Sequence, residues 1–153
     1  MPRIAGVNLL GVLLAGIAVF FIGFIFYGLL FTEIWANGLG MYMSADGKEI
    51  SYLTADGVTT LAAGAGEPIW IIGGFVISLV IAYGIGWHMK QKNISKLPSA
   101  VLMALWISLL FGVPLMAYTL VYSPWHDVGA FLVNAGHTVV TFVVAAAVMS
   151  FFG

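Results

Sequence analysis

The chain has no cysteine, and its five basic and six acidic residues stay out of four long stretches altogether. Without cysteine there can be no disulfide, no thiolate metal site and no cysteine nucleophile. Nothing about a redox compartment can be read from cysteine usage either. Charge is scarce everywhere: 7% of residues are charged, against about 25% in a soluble domain. A soluble fold of 153 residues could not stay dispersed with so little charged surface. The net charge of −1 points away from nucleic acid and from anionic surfaces. No G-x-S-x-G, Walker or H-E-x-x-H pattern occurs, so no catalytic residue, metal site or cofactor is expected.

Apolar sequence fills the space that charge leaves. Hydrophobic residues make up 62% of the chain, and an uncharged apolar run of roughly 18 or more residues is long enough to cross a bilayer as a helix. The expected spans are Ile4 to Phe31, Pro68 to His88, Pro98 to Tyr122 and Asp127 to Phe152. The first is about twice the length of a signal-peptide core and reads as a retained span. At 1.5 Å per residue it would cover about 42 Å, so it should tilt or protrude from a ~30 Å hydrocarbon core. Pro68 suits a first helical turn and Asp127 an N-cap. The fold class that follows is all-α: one domain over residues 1–153, a polytopic membrane protein with four transmembrane helices in one bundle.

Orientation rests on the basic residues. Arg3, Lys90, Lys92 and Lys96 fall on one side and Lys48 alone on the other, which puts both termini in the cytoplasm. Trp35, Trp70, Tyr122 and Trp125 would anchor the outer boundary and Trp87 the inner one. The expected address is a bacterial inner membrane. The outer loop, Thr32 to Glu67, carries Asp46-Gly47 between two strand-like runs and predicts a β-hairpin with a two-residue turn. Ala55-Asp56-Gly57 marks a second turn, and Thr59 to Gly66 reads as a flexible tail into span two. The D-x-[DN]-x-[DN]-G pattern is missing, so these are plain turns and not a calcium loop.

Chemistry inside the spans is limited to uncharged polar groups. Asn134 and His137 share one face of span four, with Thr141 a turn further along. They read either as a small polar binding site or as helix–helix hydrogen bonds that fix packing. Pro114 interrupts span three and should free the Leu110 carbonyl. The His137 imidazole is one candidate donor for it, and Ser108 or water the other. On the first reading Tyr27 and Tyr118 close the layer. The candidate ligand-binding set is therefore Asn134, His137, Tyr27 and Tyr118, and Asn8 reads as an interfacial or packing residue. In span two, Gly74, Ser78, Ala82 and Gly86 recur every four residues as a small stripe for close helix packing, within the chain or between copies. The aromatic run Phe20, Phe21, Phe24, Phe26, Tyr27 and Phe31 reads as lipid-facing bulk. His88, His126 and His137 sit at different depths, too far apart to share a metal.

Gly23 through Phe31 followed by Trp35, then Ala82-Tyr83, then Val133-Asn134-Ala135-Gly136, resemble the family labelled domain of unknown function 1761. The resemblance spans all four apolar segments and implies a small, mostly bacterial four-span membrane protein with no assigned activity. Phe26 stands where the family shows Trp, and His137-Thr138 where it shows Tyr-His. The displaced histidine points about 100° away around the helix.

Three functions compete. The first is a non-enzymatic unit that binds or passes a small neutral or lipid-like ligand, with membrane lipid and a second copy as partners. The second is a structural or accessory subunit docked on another membrane protein, marked by a small-residue stripe on its outside. The third is a membrane enzyme using His137 as acid or base. Proton-coupled export of the four-span multidrug type needs a membrane-embedded carboxylate, which the spans lack.

Overall fold

A computed structural model describes residues 2–62, 68–123 and 127–153. Trp125, His126 and the end of the loop at Gly66 and Glu67 lie outside the described residues. Four helical segments are long and apolar enough to cross a membrane: Leu9–Leu30, Trp70–Gln91, Leu97–Tyr122 and Val128–Ser150.

Span one begins later than its apolar run. Arg3–Ile4 (β1) and Val7–Asn8 (β2) pair as a minute antiparallel hairpin, turned by Ala5 and Gly6 at positive φ. The buried Asn8 then caps helix α1, Leu9–Gly23, accepting from the Leu10 N–H at 3.0 Å and the Gly11 N–H at 3.5 Å. That capping role adds to the interfacial or packing role expected from sequence. It also shortens the crossing to 22 residues, about 33 Å, and removes the mismatch. The helix continues in π-helical register over Phe24–Leu30.

Helix α2, Thr32–Gly38, leads into a three-stranded antiparallel sheet: β3 Met41–Met43, β4 Glu49–Thr54 and β5 Gly57–Ala62. Two sequence expectations change here. The Asp46-Gly47 turn is a longer loop closed by Ser44 and Glu49, in which the Ser44 N–H donates to the Glu49 carbonyl at 2.9 Å. The tight turn is the second one, where Thr54 pairs with Gly57 around Ala55-Asp56. Residues Thr59 to Ala62, expected to be flexible, instead form most of β5. Their β-branched side chains find partners across the strand, with the Ser51 and Thr60 hydroxyls 2.9 Å apart. Alternation gives the sheet one face of Met41, Met43, Ile50, Tyr52 and Leu61, with Thr54 and Thr59 toward the tight turn, and a mixed face of Tyr42, Glu49, Ser51, Leu53, Val58 and Thr60.

Span two is helix α3, Pro68–Gln91. Span three is α4, Leu97–Ile107, a π-helical turn at Ser108–Gly112, and α5, Val113–Tyr122. Span four is α6, Val128–Ser150, capped by the Asp127 carboxylate on the Ala130 N–H at 2.7 Å. Helix α6 packs on α1, α3, α4 and α5. The core is built from small side chains: Ala15, Ala82, Ala100, Ala104, Ala145 and Ala146 are fully buried. In lipid, where apolar burial drives little, such surfaces associate because backbones come close enough for dispersion contacts. The α3 stripe is part of that seam. Ser78 and Ala82 are buried, Gly74 faces Phe20, and a Cβ on Gly86 would meet Met149 Cε at 2.5 Å.

Candidate functional site

The candidate site forms where span one opens into its π-helical segment. A π turn carries an extra residue, widens the helix and swings side chains off the regular face. Here the widening brings Phe26 and Tyr27 onto α6. The Tyr27 hydroxyl donates to Asn134 Oδ1 at 3.0 Å. Its ring lies 4.6 Å from the His137 ring and 4.9 Å from the Trp35 ring. Phe26 meets His137 edge-on at 5.5 Å. One turn deeper, His137 Nε2 and Thr141 Oγ1 are 3.3 Å apart, with Thr141 almost wholly buried. Thr138 turns to the other side, donating to the Asn134 carbonyl at 2.8 Å and packing beneath Gly112.

Three of the four sequence candidates therefore come together: Tyr27, Asn134 and His137. Tyr118 does not join them. It is 62% exposed and stacks on Tyr122, with ring centroids 5.7 Å apart. The bond expected between His137 and the Leu110 carbonyl is absent too. Leu110 is 59% exposed, whereas His137 faces span one. Pro114 is accommodated by the π-helical turn just before it, in which the Val113 N–H reaches back to the Ser108 carbonyl. The Ser108 hydroxyl donates to Leu105 at 3.0 Å, not to Leu110. Both π segments thus flank the same stretch of α6, one at Tyr27 and the other at Gly112.

Sequence reasoning missed Phe26, Trp35 and Gly23. The aromatic run is not uniform lipid-facing bulk: Phe21 and Phe24 are exposed, while Phe20 packs edge-on against Phe75 at 5.8 Å and Phe26 reaches the site. Trp35, read as a boundary anchor, lies against Tyr27. A Cβ on Gly23 would stand 3.6 Å from His137 Nε2, so this glycine leaves the imidazole open on one side.

That opening leads into a groove. Between span one and α3 runs a cavity of about 450 Å³ whose walls include Phe20, Gly23, Tyr27, Trp70, Gly74 and His137. A second cavity of about 530 Å³ lies under the apolar face of the sheet, walled by Trp35, Leu39, Met43, Ile50, Leu61 and Trp70. Among the described residues, no Asp, Glu, Lys or Arg lines either. Nor do any three His, Asp or Glu side chains among them gather as metal ligands would. The arrangement offers a neutral hydrogen-bonding spot at the bottom of an apolar groove.

Four apolar crossings around a small buried polar cluster define a multi-pass membrane protein. The chain belongs to the family described as protein of unknown function (DUF1761), which matches residues 10–150. No curated protein and no solved structure matches it.

Proposed function

We propose that this protein is a non-enzymatic unit that takes a small neutral or lipid-like ligand from the bilayer. The observation that carries this reading is the groove of about 450 Å³ between span one and α3, which ends on the ring of His137. Its volume falls within the ~300–1,000 Å³ range of small-molecule sites. Its walls are apolar, so a hydrocarbon ligand loses little on leaving lipid. Tyr27, Asn134 and His137 supply the few polar atoms that could orient a head group. The ligand is held and does not react: among the described residues no carboxylate lines the groove, and its one serine, Ser78, donates its hydroxyl to the Gly74 carbonyl at 2.9 Å. The protein sits in a bacterial inner membrane, with both termini and the link bearing Lys90, Lys92 and Lys96 in the cytoplasm, as its basic residues favour. The sheet is then on the outer side. The accessory-subunit reading expects an outward stripe of small residues, and the stripe of α3 is used inside the chain.

Gentle purification followed by native mass spectrometry tests the reading. The expected outcome is a retained small molecule or lipid on the wild-type chain, lost when Gly23→Leu fills the mouth above His137. Equal retention by both chains would refute the groove as the binding place.

A further inference from the structure

The sheet does something that the groove alone does not require. Its apolar face is turned down over α2 and Trp70 and roofs the 530 Å³ chamber, while Glu49, Ser51 and Thr60 lie on the other face. Every wall of that chamber except Trp70 lies beyond the ends of the four spans. With the hydrocarbon layer taken to end where the spans do, an apolar chamber beyond them would be filled by water at a cost that grows with its exposed apolar area. A hydrocarbon occupant removes that cost.

The chamber also adjoins the groove. Trp70 lines both cavities. Trp35 lines the chamber and stacks on Tyr27, which lines the groove. Two tryptophans thus form the junction, and their indole N–H groups are neutral donors. Charge selects further. With no ionised side chain among the described residues of either wall, a charged head drawn inside would meet no counter-ion there, and desolvating it would be prohibitive. His137 offers a ring N–H, so the matching head carries a neutral acceptor such as a carbonyl oxygen.

Resting on the function proposed above, we infer that the roofed chamber is the tail compartment of that same site. The ligand class is then an uncharged, single-tailed amphiphile with a carbonyl-bearing head, the chemistry of an isoprenoid quinone. Its head lies at His137 and Tyr27, and its tail passes the two tryptophans into the space under the sheet.

The natural lack of cysteine makes the test direct. The full chain, with Trp87, Trp106 and Trp125 replaced by Phe, is placed in phosphatidylcholine nanodiscs and titrated with a decyl-tailed benzoquinone. Quenching of Trp35 and Trp70 fluorescence is the readout. A tailless benzoquinone and decyl sulfate serve as controls. Leu61→Cys, on the chamber wall, and Gly23→Cys, at the groove, are each labelled with a benzyl maleimide after folding, so bulk is added without asking the chain to fold around it. The expected result is saturable quenching by the decyl quinone that weakens at least tenfold on labelling either variant. Labelling the Leu61→Cys variant should leave the tailless quinone unchanged, and decyl sulfate should not compete.

Saturable binding that is blocked by label on the Gly23→Cys variant but indifferent to label on the Leu61→Cys variant would overturn the tail compartment and leave the groove standing. Displacement by decyl sulfate at equal concentration would overturn the uncharged class. Quenching that rises linearly without saturation would sink both the inference and the function on which it rests.

Discussion

The bond between Tyr27 and Asn134 gives the most direct measure of whether this cluster is built as described. Tyr27→Phe removes one hydroxyl and leaves the ring on Trp35 at 4.9 Å and on His137 at 4.6 Å. The aromatic contacts, worth about 0.5–1.5 kcal/mol each, should survive. Only the 3.0 Å hydrogen bond to Asn134 Oδ1 is lost. Hydrogen bonds between membrane helices contribute about 0.6 kcal/mol on average and up to about 1.7 kcal/mol. This one joins spans one and four, so its loss should appear in global stability. Asn134→Ala removes the same bond from the other side, and the double variant should lose little more than either single one. A cycle of Tyr27→Phe and Asn134→Ala, measured by reversible unfolding in mixed micelles with helicity as the signal, should give a coupling of about 0.5–1.5 kcal/mol. Additive effects, within about 0.3 kcal/mol of zero coupling, would mean that the two side chains do not meet in the membrane.

Further outcomes follow from other parts of the structure. Asn8→Ala removes the cap of α1 and should destabilise the chain by about 1 kcal/mol in the same unfolding assay, with Asn8→Asp restoring most of it. Gly38→Val should release α2 from α6, because a Cβ there falls on that of Ala130; Gly73→Val, with nothing within 4 Å, is the neutral control, and proteolysis of the 32–62 region reads the difference. The Ser44 hydroxyl, then the Lys48 backbone N–H, hold the Asp46 carboxyl below its ordinary value. The order this gives to the β3–β4 loop should be present above the usual carboxylate range and be lost as pH falls below it, as amide exchange at Lys48 and Glu49 would show. On the cysteine-free background, Asp46→Cys should react with an impermeant maleimide from outside the cell and Lys92→Cys only after permeabilisation; labelling of both from one side would reverse the orientation argument.

The spans were legible because absence of charge is a strong and local signal. The sheet was half legible: the strand-like run Lys48 to Tyr52 marked most of β4, but the stretch from Thr59 was read as a tail because no partner strand is visible in sequence. Asn134 and His137 were found by helical spacing alone, and Tyr27 by being the polar aromatic at matching depth. Tyr118 was misplaced for a definite reason. Depth alone leaves the angle around the helix open, and the π turn at Ser108–Gly112 inserts one residue and shifts that angle by about 100° for everything after it. Trp35 and Phe26 were hidden by the same device in span one. Where a helix loosens its winding depends on what packs beside it, and no single-residue propensity records that.

The π-helical segment of span one has a consequence for how the family can vary. Below it, Ala15 and Gly16 are in phase with α3, and a Cβ on Gly16 would meet Leu79 at 2.6 Å. Above it, Tyr27 is in phase with Asn134. The two halves keep separate angular settings that only the surplus residue reconciles. Deleting one residue between Phe24 and Leu30 would tighten the winding and force a choice, keeping the seam or keeping the polar cluster but not both.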